Sequence, residues 1–243
     1  MFMFFDPMYL LFMLPGVALA AWAQWRMRSA FAKGSQIEPQ SGLSGAEAAA
    51  EVMHAAGIDG VGIEPVAGQL TDHYDPTEKV LRLSEPVYVE RTLSAVGVAA
   101  HEAGHAIQDA RRYSPLVIRN LIVPVANFGS QAALLIIMAG FLLAFAHAFF
   151  VAKWLVYAGI ALFAVVVLFQ LVNLPVEFDA SRRARIALQE TGIVTPAEDE
   201  TVGKVLNAAA LTYVAATLSA MLNLAYYVFV ALSLFGGHRD ERA

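Results

Sequence analysis

The segment Val98-Ala99-Ala100-His101-Glu102-Ala103-Gly104-His105-Ala106-Ile107 contains the pattern His-Glu-x-x-His. On a helix, residues four apart share one face, with Cβ atoms about 5–6 Å apart. Two imidazoles so placed can meet one zinc ion at about 2.0–2.1 Å. Glu102 projects to the side, within reach of a water on that ion but not of the ion itself. The spacing therefore predicts two metal ligands, His101 and His105, and one general base, Glu102. The plainer alternatives are a surface helix with two incidental histidines, or a core pair bonded to backbone. The residues between and beside the motif are small or apolar, as a buried catalytic helix requires. A metzincin would carry Gly at 108 and His at 111; Gln108 and Arg111 exclude that class.

A catalytic zinc needs a third protein ligand and one open position. The segment Asn173-Leu174-Pro175-Val176-Glu177-Phe178-Asp179-Ala180-Ser181-Arg182-Arg183-Ala184 offers Glu177, with Asp179 as a rival that a helix would turn the other way. Pro175 is expected near a helix start, and an acid there can simply favour the helix N-terminus, worth under about 1 kcal/mol. Asp179 can instead hold a histidine N–H from behind the ligands. Asp109, four residues after His105, has the same potential role. His73 is a weaker alternative ligand within Asp72-His73-Tyr74-Asp75, where turn chemistry explains the polar cluster equally well.

The elements that must position these groups are set by an uneven composition. Of 243 residues 58 % are hydrophobic, 15 % are charged and none is cysteine, with a net charge of −5. Soluble domains carry about 25 % charged residues. This balance excludes an ordinary soluble domain, a disordered chain and a disulfide scaffold, and it argues against nucleic acid as a partner, since no basic excess meets phosphate. Residues 128–150, 154–174 and 208–235 are long enough to span a bilayer and contain no Asp, Glu, Lys or Arg. Residues 7–25 form a fourth apolar stretch. Only Asp6 precedes it, and Arg26, Arg28 and Lys33 follow it, which predicts an uncleaved anchor with its N-terminus outside. Residues 26–115 hold eight of the sixteen Lys and Arg, and 175–207 hold four more. The positive-inside rule places both in the cytoplasm. The C-terminus then lies outside, mildly opposed by Arg239 and Arg242, which Asp240 and Glu241 accompany. The tight hairpin of the second and third spans returns Glu177 to the side of His101 and His105. The four turns between Arg91 and Asp109 are too short to span, so the motif helix is expected in the cytoplasmic part.

The fold expected is mostly α: a polytopic membrane protein of about four transmembrane helices with a small cytoplasmic zincin-like α+β part. Ser44-Gly45-Ala46-Glu47 is a capping box that opens a helix to about Ala56, stopped by Gly57. Residues 60–66 form a short strand. Residues 70–74 and 79–83 flank Asp75-Pro76 as a β-hairpin. Ser84 and Pro86 start another helix, and the motif helix runs from about Ser94 to Ala110. The hairpin can only pack on the motif helix, or it can offer an edge strand to an extended substrate.

Three runs together resemble a known family: Asp72-His73-Tyr74-Asp75-Pro76 with Lys79-Val80-Leu81-Arg82-Leu83-Ser84, then Val98 to Gln108, then Leu174 to Ser181. They are similar to the YugP-type neutral zinc metallopeptidases of bacterial membranes, over nearly the whole chain. The organisation also resembles the broader gluzincin membrane peptidases of the HtpX and CAAX-prenyl-protease type. In those, a Glu after a membrane hairpin is the third zinc ligand, which implies that role for Glu177. They usually carry an Asp four residues later; this chain has Ser181, so any supporting role of that Asp is absent or moved to Asp179. The resemblance implies one catalytic Zn²⁺, a peptide or membrane-protein substrate and a bacterial inner-membrane location. In the expected mechanism Glu102 takes a proton from the attacking water and returns it to the leaving amine. A further donor should steady the oxyanion, with His73, Tyr74, Tyr88, Arg182 and Tyr213 as candidates. A non-catalytic, zinc-stabilised membrane scaffold or partner-binding subunit is the alternative. A metal transporter would need ligands inside the spans, and only His147 offers one. A regulatory membrane partner and a homo-oligomer both remain compatible with the sequence.

Overall fold

The computed structural model describes residues 7–236. The charges at Asp6, Arg239, Asp240, Glu241 and Arg242 lie outside them. The elements in chain order are α1 (Pro7–Gly34), α2 (Gly45–Ala55), β1 (Gly62–Val66), β2 (His73–Asp75), β3 (Val80–Ser84), α3 (Glu85–Val89), α4 (Leu93–Ala110), α5 (Ser114–Phe145), α6 (Phe149–Glu190) and α7 (Pro196–Phe235). The protein is mostly α-helical with one small three-stranded sheet, as its apolar runs and the 70–83 hairpin lead one to expect. Four helices, α1, α5, α6 and α7, are long and apolar enough to cross a membrane.

The chain divides into two compact units. One takes the chain up to Ala21, Ile118–Val172 and the chain from Tyr213. Its interior holds Ile137, Phe141, Val156, Tyr226, Tyr227 and Ala231. Gly140 against Val156 and Gly159 against Ile137 leave no room for a Cβ, so α5 and α6 pack backbone to backbone, as membrane helices do where small residues meet. Large apolar side chains face outward: Leu135 and Leu142 are each 70 % exposed and Phe150 is 79 % exposed. In water such a surface would drive association; in a bilayer it is the solvated face.

The second unit takes Trp22–Val117 and Asn173–Thr212. Helix α2 begins with the capping box: Ser44 N donates to Glu47 Oε2 at 2.7 Å, and Glu47 N donates to Ser44 Oγ at 3.3 Å. The sheet order is β1-β3-β2, with β1 parallel and β2 antiparallel to β3. The β2–β3 turn is pinned by Asp75, whose Oδ1 accepts from Thr77 N and Glu78 N. Thr92 caps α4 by accepting from Ala95 N. Many of α4's buried residues are small (Gly97, Ala99, Ala100, Ala103, Gly104 and Ala106), so the helix runs through a core that includes Val52, Leu81, Leu83 and Leu188. A second capping box, Thr195 with Glu198, starts α7.

Helix boundaries differ from the apolar runs in instructive ways. The stretch 128–150 is divided: α5 ends at Phe145, His147 takes a positive φ, and α6 starts at Phe149. Pro175, expected near a helix start, lies inside α6. Proline removes one hydrogen bond without ending the helix, as is tolerated in helices that enter membranes. The helical segment expected over 175–207 is thus the end of α6 and the start of α7 rather than a separate helix.

Candidate active site

Helix α4 presents His101 and His105 one turn apart, their ring centroids 4.8 Å apart. Glu177, three residues beyond Leu174 on α6, points at both. Its Oε2 lies 3.4 Å from His101 Nε2 and 3.7 Å from His105 Nε2. The close approach of the helices is permitted by Gly104, the last residue between Glu102 and His105. A Cβ there would fall 2.6 Å from Ala180 O.

Each imidazole is held from behind. His101 Nδ1 is 3.1 Å from Ser181 Oγ, and His105 Nδ1 is 3.0 Å from Gln108 Oε1. Gln108 is fully buried and donates from Nε2 to Val176 O at 2.8 Å and to Asp179 Oδ2 at 3.0 Å. Asp179 also accepts from Arg182 and Arg183. It therefore reaches His105 through Gln108 rather than directly. Neither Gln108 nor Ser181 was singled out for this role from sequence. Their available signal was spacing: Gln108 sits three residues after His105, and Ser181 four after Glu177.

The electrostatics are those of a tight ion cluster. Burial alone would raise the Glu177 carboxyl, but the imidazoles of His101 and His105 outweigh it and hold the group far below the usual carboxylate range. Burial would lower His105, yet Glu177 and Glu102 together hold it above its ordinary value. Burial would also raise Asp179, and Arg183, Gln108 and Arg182 hold it below its ordinary value.

The other sequence candidates lie elsewhere. Asp109 accepts from the Tyr74 hydroxyl at 2.8 Å and from Lys79, not from a histidine. Tyr74 is thereby committed to Asp109. His73 is exposed, its Nδ1 2.8 Å from Thr71 O. Tyr88 is half-buried against the core of this unit, Arg182 is on Asp179, and Tyr213 belongs to the other unit. Glu102 is 8 % exposed and its side chain makes no hydrogen bond or ion pair among the described residues.

The donor set fits a zinc ion. Four ligands at about 2.0–2.1 Å in a tetrahedron stand about 3.3–3.4 Å apart, close to the observed 3.4 and 3.7 Å. Glu177 Oε2 is buried without a hydrogen-bond partner, an arrangement costly for a carboxylate unless a cation meets it. His101, His105 and Glu177 form the cluster able to hold a metal among the described residues.

Comparison with known proteins agrees with this chemistry. Residues 9–232 match the family described as "putative neutral zinc metallopeptidase", and the chain belongs to that family. It is 44 % identical, over 96 % of its length and 99 % of the relative's, to the "putative membrane protease YugP" of Bacillus subtilis (strain 168). No solved structure matches.

Proposed function

We propose that the chain is a membrane-embedded, zinc-dependent endopeptidase of the gluzincin type, with His101, His105 and Glu177 as ligands and Glu102 as general base. The observation that carries this is the buried Glu177 Oε2, which makes no hydrogen bond, facing two imidazole nitrogens at ligand spacing. When bound there, zinc supplies Lewis-acid polarisation of a carbonyl and lowers the pKa of water to about 7. Glu102, one residue from His101 and without a hydrogen bond or ion pair among the described residues, accepts the proton of the attacking water and passes it to the leaving amine. Ser181 and Gln108 keep the rings aimed, and the packed α4–α6 seam keeps the ligand atoms at fixed spacing.

Glu102 also separates this reading from a zinc-stabilised scaffold. A scaffold needs only the clasp of His101, His105 and Glu177, whereas the enzyme reading also gives a role to the Glu102 carboxylate, which makes no hydrogen bond or ion pair among the described residues. The substrate class is a peptide or membrane protein, and the positive-inside distribution supports a site on the cytoplasmic face of a bacterial inner membrane. The test is metal content and hydrolysis of a casein-like substrate by the purified full chain. One zinc per wild-type chain with proteolysis is expected, and substoichiometric zinc with no proteolysis in Glu177→Ala. Unchanged metal in that variant would move the third ligand elsewhere.

A further inference from the structure

We propose that Gln108 is a positioning residue that fixes His105 in the neutral tautomer that leaves Nε2, the nitrogen beside Glu177, free to bind a metal, with Val176 O and Asp179 as its anchors. The proposal rests on His105 being a zinc ligand, but its first test does not need the metal. A glutamine amide has a donating end and an accepting end. Here the nitrogen end lies 2.8 Å from a backbone carbonyl, Val176 O, and 3.0 Å from a carboxylate, Asp179 Oδ2, both of which only accept. That settles which end is which. The oxygen end therefore faces His105 Nδ1 at 3.0 Å. An amide oxygen only accepts, so Nδ1 must carry the hydrogen, and the neutral ring turns its lone pair outward on Nε2, the atom beside Glu177.

The anchor is itself held. Asp179 is paired to both Arg182 and Arg183, so its oxygen stays an acceptor toward Gln108. Gln108 is fully buried, which leaves no water to take its place. His101 is held differently: its Nδ1 meets the Ser181 hydroxyl, which can donate or accept. Ser181 therefore adapts to the His101 ring, whereas Gln108 dictates the His105 ring. Outer partners of this kind commonly change metal affinity 10–100-fold when removed.

The test compares wild type, Gln108→Leu and Gln108→Glu as full chains in detergent. In metal-free protein at alkaline pH, ¹⁵N-histidine spectra, with His105 assigned by its loss in His105→Gln, should show the Nδ1–H form in wild type and in Gln108→Glu. Gln108→Leu should shift toward the Nε2–H form. A wild-type His105 protonated on Nε2, or a leucine variant unchanged from wild type, overturns the proposal. Zinc affinity from chelator competition then separates positioning from mere packing. The leucine variant should bind zinc 10–100-fold more weakly. The glutamate variant still accepts from Nδ1 and should bind zinc more tightly than the leucine variant, although its second oxygen meets Asp179 and lowers the melting temperature. Affinities that follow melting temperature in both variants make Gln108 structural and overturn the proposal. If wild type shows the Nδ1–H form yet binds no zinc, the zinc reading fails and the role of Gln108 in ring orientation stands.

Discussion

Gly104 lies against the backbone of Ala180 so closely that a single added carbon would sit 2.6 Å from the Ala180 carbonyl oxygen. This contact joins the segment carrying both histidines to the segment carrying Glu177. The neighbour is backbone rather than a flexible side chain, so Gly104→Ala must push α4 and α6 apart. Overpacking of this kind costs about 1–3 kcal/mol. The melting temperature should fall by several degrees, and zinc affinity should fall with it. A variant with wild-type zinc affinity would show that the seam does not set the ligand spacing.

Replacing Glu102 with Gln keeps the size of the side chain and removes its basicity. Zinc content should remain at the wild-type level while hydrolysis drops by about 10²–10⁴-fold, the range general-base catalysis supplies. Full activity in this variant would remove Glu102 from the proposed mechanism and favour the scaffold.

Stripping the metal tests the clasp as a stabilising element. A ligand that binds only the folded state adds about 2.7 kcal/mol when free at a hundred times its dissociation constant. Chelation should therefore lower the melting temperature of wild type and leave Glu177→Ala unchanged. Equal sensitivity of the two proteins to chelator would place the metal at other residues.

Tyr74 supplies a pH dependence remote from the ligands. Its burial, with its hydrogen bond to the Asp109 carboxylate, pushes the phenol well above its ordinary value. The unfolded chain ionises near pH 10, whereas the folded chain keeps the phenol neutral. The stabilisation is therefore complete below pH 10 and is lost as pH rises toward the folded value. Denaturant unfolding at pH 9 and pH 11 should show a smaller alkaline loss of stability in Tyr74→Phe than in wild type. Parallel losses would mean that Tyr74 does not titrate with folding.

The proposed orientation in the membrane is open to direct labelling, because the chain has no cysteine of its own. A cysteine at position 79 should react with an impermeant maleimide only after the cells are opened, and one at position 153 should react from outside. Labelling of position 79 from outside intact cells would reverse the orientation.

Much of this arrangement was readable before any coordinates, and what was not has a physical reason. The His101–Glu102–His105 spacing is local, so the period of one helix suffices to bring the rings together. The capping box at Ser44 and the turn at Asp75 are local in the same way, and both form. Glu177 is a different case: its segment and the membrane hairpin made it a candidate, topology permitted its approach without requiring it, and the family resemblance implied the ligand role. The His105–Gln108 contact is local to α4, but the anchoring of Gln108 on Val176 and Asp179 and the contact of Ser181 with His101 depend on the register in which α4 meets α6, which no single segment encodes. Asp109 shares a helical face with His105, but β2 and the following turn supply Tyr74 and Lys79, which bind it first. The run 128–150 could not reveal its own break, since Phe145 and Phe149 are equally apolar and only the turn at His147 divides them.

The cluster draws on parts of the chain that are made at very different moments. A ribosome that has delivered both histidines must still produce α5 and most of α6 before Glu177 appears. On the proposed reading, an unfinished polypeptide holds two of three ligands and cannot cut. Hydrolytic power would then arise only after the first three of the four apolar helices have been made.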